Sequence, residues 1–301
     1  MALRFRPVPC ALLALLLSAF AGAPYALANE YVLVPTTGSA QEARKVSALE
    51  PAVVRFAGMA SGSYYWADGL LAEQLLTGLA SRPDRAQQAL PDGQRLLSSR
   101  REFSDGAERA AVLLDARGDV LAAALVHQQC GKTGLTICQD SQHGVLSVFL
   151  RPGIDRAQAE PLVAWSQDVP KDLMLGRGGK IATVETITLD ASRTGASPVR
   201  RPNGFSPQVP LYPRAILYRT GQEALSNARA RRVVRLQTTD SIEQVLAFYK
   251  RLSPPLAEME AGVDDNSGYV SGKRKGVAFS VEAQRNEHFP SLTNVEVEIA
   301  D

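Results

Sequence analysis

Two late segments, Gly276-Val-Ala-Phe-Ser-Val-Glu282 and Thr293-Asn-Val-Glu-Val-Glu-Ile299, alternate apolar and polar residues with a period of two. Each predicts a strand with one buried and one solvated face. Just before them, Ile242, Val245, Leu246, Tyr249 and Leu252 fall on one face of a helix. Asp240 is its expected N-cap, with Glu243 three residues on, and Pro254-Pro255 stops it. The apolar run Arg232-Val-Val-Arg-Leu-Gln237 reads as the preceding strand, and Tyr269-Val270 as a short extra one. The C-terminal order is therefore β-α-β-β, a helix on one face of an antiparallel sheet.

The N-terminal half reads less cleanly. Tyr-Val-Leu-Val at 31–34 and Val-Val-Arg-Phe at 53–56 are short β-prone runs, bounded by Pro35 and Gly58. Leucines 71, 75 and 79 give a helix between Trp66 and Ala80. Ala111–Leu114 and Val120–Val126 flank Asp115-Ala-Arg-Gly-Asp119, a hairpin in which Gly118 supplies positive φ. A strand at 145–150 ends at Arg151-Pro152-Gly153, residues 154–166 read as a helix kinked or delayed by Pro161, and 181–189 alternate as a strand. From 191 to 213 the composition turns to Ser, Gly, Arg and five prolines, an extended connector. The expected fold is α+β in two domains, 29–190 and 214–301, each an antiparallel sheet with one or two helices packed on it.

The run from Leu211 to Arg251 contains Leu-Tyr-Pro-Arg-Ala at 211–215, Thr-Thr-Asp-Ser at 238–241 and Val-Leu-Ala-Phe-Tyr-Lys at 245–250. It resembles a small module of bacterial secreted and lipid-anchored proteins of uncharacterised function. That module shares a Tyr-Pro-x-Ala element, a Thr-x-Asp-Ser helix start and a Phe-Tyr pair. The resemblance covers about a third of the chain and implies fold and compartment; it implies no catalytic residue.

The first 28 residues have the zones of a secretory signal: Arg4 and Arg6, an apolar run from Ala11 to Ala21, and Ala26-Leu27-Ala28 at the cleavage point. The apolar run is about half the ~20 residues that span a bilayer core, and no later stretch is longer, so no transmembrane segment is expected after cleavage. Removing Arg4 and Arg6 from 33 basic residues leaves 31, equal to the 31 acidic ones. This balance gives no reason to expect a nucleic-acid partner. The expected compartment is the periplasm, with full secretion as the alternative.

Cleavage also removes Cys10, leaving Cys130 and Cys138, which are expected to form a disulfide in an oxidising compartment. His127 and His143 flank them, and the four together are zinc-type ligands, but the spacing fits no common zinc motif. No metal and no cofactor are expected. With only three histidines in the chain, the third being His288, imidazole catalysis has few candidates. Gly58-Met-Ala-Ser61-Gly62 has the wrong spacing for a nucleophile elbow and reads as a turn after a strand. Gly176-Arg-Gly-Gly-Lys180 lacks the first glycine and the Ser or Thr of a phosphate loop. Arg117-Gly118-Asp119 reads as turn chemistry, and Asp264 and Asp265 as solvated loop acids.

Arg229, Arg231, Arg232 and Arg235 are candidate contacts for an anionic partner, with Arg231 and Arg235 on one strand face and Arg232 on the other. The expected function is non-enzymatic: an envelope protein that binds another envelope protein, of which an inhibitor or immunity protein is one kind. The alternatives are a cell-envelope hydrolase using His127 or His143, and a small-ligand-binding protein.

Overall fold

The computed structural model describes residues 49–80, 86–101, 108–128, 144–167, 181–189, 199–224 and 230–300. All fall in one of the two units into which the chain divides, Val32–Asp301. The expected signal sequence, the 31–34 strand, Cys130, Cys138, His143, the 176–180 glycine turn and Arg229 lie outside the described residues. The fold is α+β, with two six-stranded, largely antiparallel sheets.

The chain enters through α1 (Leu49–Ala57), where a strand over 53–56 was expected. The physical reason is periodicity: Leu49, Ala52, Val53, Phe56 and Ala57 are buried at helical spacing while Arg55 is exposed. The β-branched pair Val53-Val54 thus follows tertiary burial rather than local preference. Gly58, at φ 51°, ends the helix. A two-residue pairing of β1 (Ser61–Gly62) with β2 (Gly69–Leu70) leads into α2 (Leu71–Gly78), the expected leucine helix.

The first sheet has the order β3 (Ala86–Ala89), β4 (Arg95–Arg100), β5 (Arg109–Leu114), β6 (Val120–Gln128), β7 (Gly144–Leu150), β8 (Ile181–Thr188). The expected hairpin joins β5 to β6: Gly118 sits at φ 90°, and Asp115 Oδ1 accepts from the backbone N–H of Arg117 and Asp119. β8 departs from the antiparallel expectation, running parallel to β7 after a crossover. The crossover begins with a 3-10 turn, Arg156–Ala159, capped by Asp155, and continues as α3 (Glu160–Gln167). Pro161 is accommodated in the first turn of α3, just after the change from 3-10 to α geometry. One face of this sheet packs Ala122, Ala124, Leu146 and Val148 on Ala159 and Leu162. The other lies under α1 and α2.

The second sheet has the order β11 (Ala257–Val263), β12 (Ser267–Arg274), β13 (Val277–Arg285), β14 (Thr293–Ala300), β10 (Ala230–Thr238), β9 (Ile216–Ala224), every pairing antiparallel. β9 and β11 extend the expected order at its edges. α4 (Ile242–Lys250) buries Ile242, Val245, Leu246 and Tyr249 as its spacing requires. Its N-cap is Ser241, in a capping box with Gln244, not Asp240 with Glu243. Asp240 is instead taken by Tyr212, whose hydroxyl donates to it at 2.6 Å, and by Arg214 at 3.1 Å.

Residues 199–213 of the expected connector contain no helix or strand, yet Phe205, Val209 and Tyr212 sit in the core of the second sheet. The α1–α2 layer also touches that sheet directly. Met59 Sδ accepts from Thr239, Glu73 from Gln237 at 3.1 Å, and Glu50 from the Ser291 N–H at 2.6 Å.

Candidate functional site

Strand register brings three polar side chains to one face of the first sheet. Ser147 stands opposite Leu125 on β6 and opposite Glu185 on β8, and His127 lies two residues along β6 from Leu125. His127 Nε2 is 2.7 Å from Ser147 Oγ, and that hydroxyl donates to Glu185 Oε1. His127 Nδ1 is 2.9 Å from the Gln128 carbonyl oxygen. Ser147 is fully buried and His127 nearly so, while Glu185 reaches solvent on the edge strand.

Tyr64, from the loop between β1 and β2, closes this face. Its ring meets those of His127 and Phe149 edge-on, with centroids 5.2 and 5.1 Å apart. Burial, with a smaller contribution from the Glu185 charge, pushes the Tyr64 phenol up to about 12, so it stays protonated at neutral pH. Gln74 of α2 fixes the loop: Oε1 accepts from the N–H groups of Tyr64 and Tyr65, and Nε2 donates to the carbonyls of Gly62 and Gly69. A Cβ at Gly62 would lie 2.7 Å from the Tyr64 ring, so only glycine admits this placement.

Counting protons defines what the trio can do. A carbonyl oxygen only accepts, so Nδ1 carries a hydrogen. Burial lowers the His127 pKa, outweighing the opposing effects of the Gln128 hydrogen bond and the Glu185 charge, so the ring is neutral at pH 7 and Nε2 is bare. The one hydroxyl hydrogen of Ser147 then faces two acceptors, Nε2 and the Glu185 carboxylate. One further proton, on either end, satisfies both contacts. The trio is thus a short proton path from an exposed carboxylate to a buried imidazole through a serine. It is not an open nucleophilic site, because Ser147 lies within the sheet with no exposed surface for a substrate carbonyl to approach.

A second buried polar cluster borders the same loop. Arg101 pairs with Glu108 and lies 5.4 Å from the Tyr65 ring centroid, and Arg109 stacks 5.1 Å from Trp165. Burial pushes the Glu108 carboxyl up, and Arg101 opposes that shift.

Of the other candidates, Arg231 and Arg235 do share one face and Arg232 the other. Arg231 bridges Glu296 at 3.0 Å and Glu298 at 3.1 Å, and Arg235 holds Glu296 at 2.7 Å. Arg232 donates to the Gly204 carbonyl. The basic cluster is thus largely engaged within its own fold. Asp264 closes its own turn, accepting from Asn266 and Ser267. Ser61, expected in a turn after a strand, lies in β1 after a helix. His288 is exposed beside Asn286.

Ser147 and Glu185 were not singled out in the sequence. The available signal was a lone polar residue inside the apolar run 145–150 and a lone charge inside 181–189. Among the described residues no group of three or more His, Cys, Asp or Glu is arranged to hold a metal ion, and no helix is long and apolar enough to cross a membrane. Comparisons of the chain with protein-family models, with curated proteins and with solved structures gave no match.

Proposed function

We propose that this chain is a periplasmic protein that works by contact with another envelope protein rather than by catalysis. The observation carrying this reading is an asymmetry of exposure. The His127–Ser147 pair, the best-formed set of catalytic side-chain types among the described residues, is closed under Tyr64. The second sheet, by contrast, turns Tyr218, Tyr269, Ser280 and Glu282 toward solvent on the face opposite α4. Tyrosines are enriched in protein-binding patches, whose rims are polar, and the two exposed tyrosines support the reading on that ground. An inhibitor or immunity protein is one member of this class.

The test is site-specific photo-cross-linking in the native host. A photoreactive residue replacing Tyr218 should trap one dominant envelope protein, and the same residue replacing Glu160 on α3 should not. Equal trapping at both positions, or none at Tyr218, overturns the reading.

One observation favours the hydrolase alternative: the 2.7 Å His127–Ser147 contact, with the Nδ1 hydrogen already directed at a carbonyl, is the tautomer a general base needs. A fluorophosphonate probe that labels wild type and not Ser147→Ala would establish it. The burial of Ser147 predicts no labelling.

A further inference from the structure

The arginines of the second sheet suggested an anionic partner, but their pairing reverses the sign of the surface. Glu296 and Glu298 engage Arg231 and Arg235, and Glu258 takes Lys273 at 2.7 Å. Among the described side chains, what remains on the β11–β13 part of that face is acidic. Glu260 and Glu282 are both exposed, and among the described residues neither has a cationic partner.

Exposed apolar side chains lie along one ribbon, Tyr269 on the face of Glu282 and Val263 on the face of α4. Met259, Val263 and Tyr269 are 48%, 57% and 48% exposed, and all belong to the β11–β12 ribbon. Tyr269 stands directly opposite Glu282 on β13 and opposite Gly262 on β11. Its ring leans across Gly262 so closely that a Cβ there would lie 2.6 Å from Cε1, which makes the glycine a seat for the ring. Glu260 is two residues from that seat on the same strand face, and beside it runs a groove lined by Glu258, Glu260, Ser271, Lys273 and Glu298.

We infer that the β11–β12 ribbon docks a lysine- or arginine-bearing, partly apolar segment of a partner protein. This rests on the contact reading and gives it a partner chemistry. An aromatic ring flanked by carboxylates attracts a cation through both the ring quadrupole and the charge. The Tyr269 ring, 48% exposed, also offers apolar contact to the stem of the same side chain. A second copy of this chain is disfavoured as occupant, since the two faces would set Glu260 and Glu282 against their own kind. A polyanion meets the same repulsion.

The experiment is fluorescence anisotropy of the mature chain with a labelled peptide of alternating lysine and leucine, beside the corresponding glutamate–leucine peptide, at low and high salt. The lysine peptide should bind at low salt and weaken as salt rises, and the glutamate peptide should not bind. Glu260→Gln/Glu282→Gln should weaken binding about five-fold or more, and Tyr269→Ser similarly, whereas Tyr269→Phe keeps the ring and retains binding. Glu160→Gln, an exposed carboxylate on α3, should leave it unchanged. No binding of the lysine peptide, binding of both peptides, or wild-type binding by the double variant overturns the inference. If cross-linking at Tyr218 still traps its protein in the Glu260→Gln/Glu282→Gln/Tyr269→Ser variant, the contact reading stands and this surface alone falls.

Discussion

β5 is buried at all six of its positions and β6 at eight of nine, whereas β13 alternates inward Phe279, Val281 and Ala283 with outward Ala278, Ser280 and Glu282. Among the described residues, the first sheet is covered by α3 on one side and by α1 and α2 on the other, and the second by α4 on one side only. A sheet covered twice leaves a polar side chain nowhere to go except to another polar side chain. That is why buried His127 and Ser147 bond each other, and why buried Glu108 meets Arg101. A sheet covered once can turn its charge outward, where the charge meets solvent and the neighbouring charges of its own face. The same residue types therefore serve internal order in one region and remain available at the surface in the other.

The largest expected effect breaks this comparison with one introduced side chain placed at two positions. Ala123 on β6 faces the α1–α2 side and has no exposed surface, so Ala123→Lys buries an unpaired charge. Roughly 4 kcal/mol or more should be lost, enough to abolish cooperative urea unfolding. Ser280 stands opposite Glu298 on the solvent face of β13, so Ser280→Lys should change stability by no more than about 0.5 kcal/mol. Equal effects at the two positions would show that the single-cover description of the second sheet is wrong.

The legible parts of the fold follow the same division. β13, β14 and α4 announce themselves because one-sided burial leaves a period in the sequence. In α1 the window Val53-Val-Arg-Phe56 is too short to separate a helix from a strand, and the deciding partners, Leu49 and Ala52, lie before it. β9 and β11 are edge strands with little pattern to read; β11 is exposed at nearly every position and interrupted by a register shift between Ala257 and Glu260. His127 was legible as chemistry, but its partners were not. Glu185 reaches Ser147 across 38 residues and a parallel crossover that local pattern does not encode. The pairing of the arginines was illegible for the same reason, since Glu296, which engages Arg235 and Arg231, lies 61 and 65 residues further on.

Removing Ser147 sharpens the comparison from the buried side. Ser147→Ala leaves His127 Nε2 and the inner oxygen of Glu185 without their common partner, and should cost about 1–3 kcal/mol in urea unfolding. The pH profile adds a signature that lost packing alone would not give. Because burial lowers the His127 pKa, the unfolded chain takes up the proton first, near the usual 6.5. The contribution is complete above that pH and is lost as pH falls below it. His127→Gln should flatten this limb; an unchanged slope would show that His127 does not supply it.

The smallest effect is expected where the two regions meet. Glu50, in the first turn of α1, is 5% exposed and accepts the Ser291 N–H from the loop before β14. Burial raises its pKa, and the hydrogen bonds from Ser291 oppose that shift. Here the sign runs the other way. The folded chain keeps this proton to higher pH than the unfolded chain, whose glutamates ionise near the usual 4.5. Stability from Glu50 is therefore present below 4.5 and lost as pH rises through the folded value. Glu50→Gln retains an oxygen to accept from Ser291 and removes the buried charge, so at pH 7.5 it should leave stability equal or higher, by about 1 kcal/mol at most. Its profile between pH 4.5 and 7 should lose the downward slope while keeping the His127 limb. The two slopes oppose each other in the mildly acidic range, so wild type should be flatter there than either Glu50→Gln or His127→Gln. A Glu50→Gln profile superimposable on wild type would mean that the junction carboxyl is solvated and that Ser291 does not hold it.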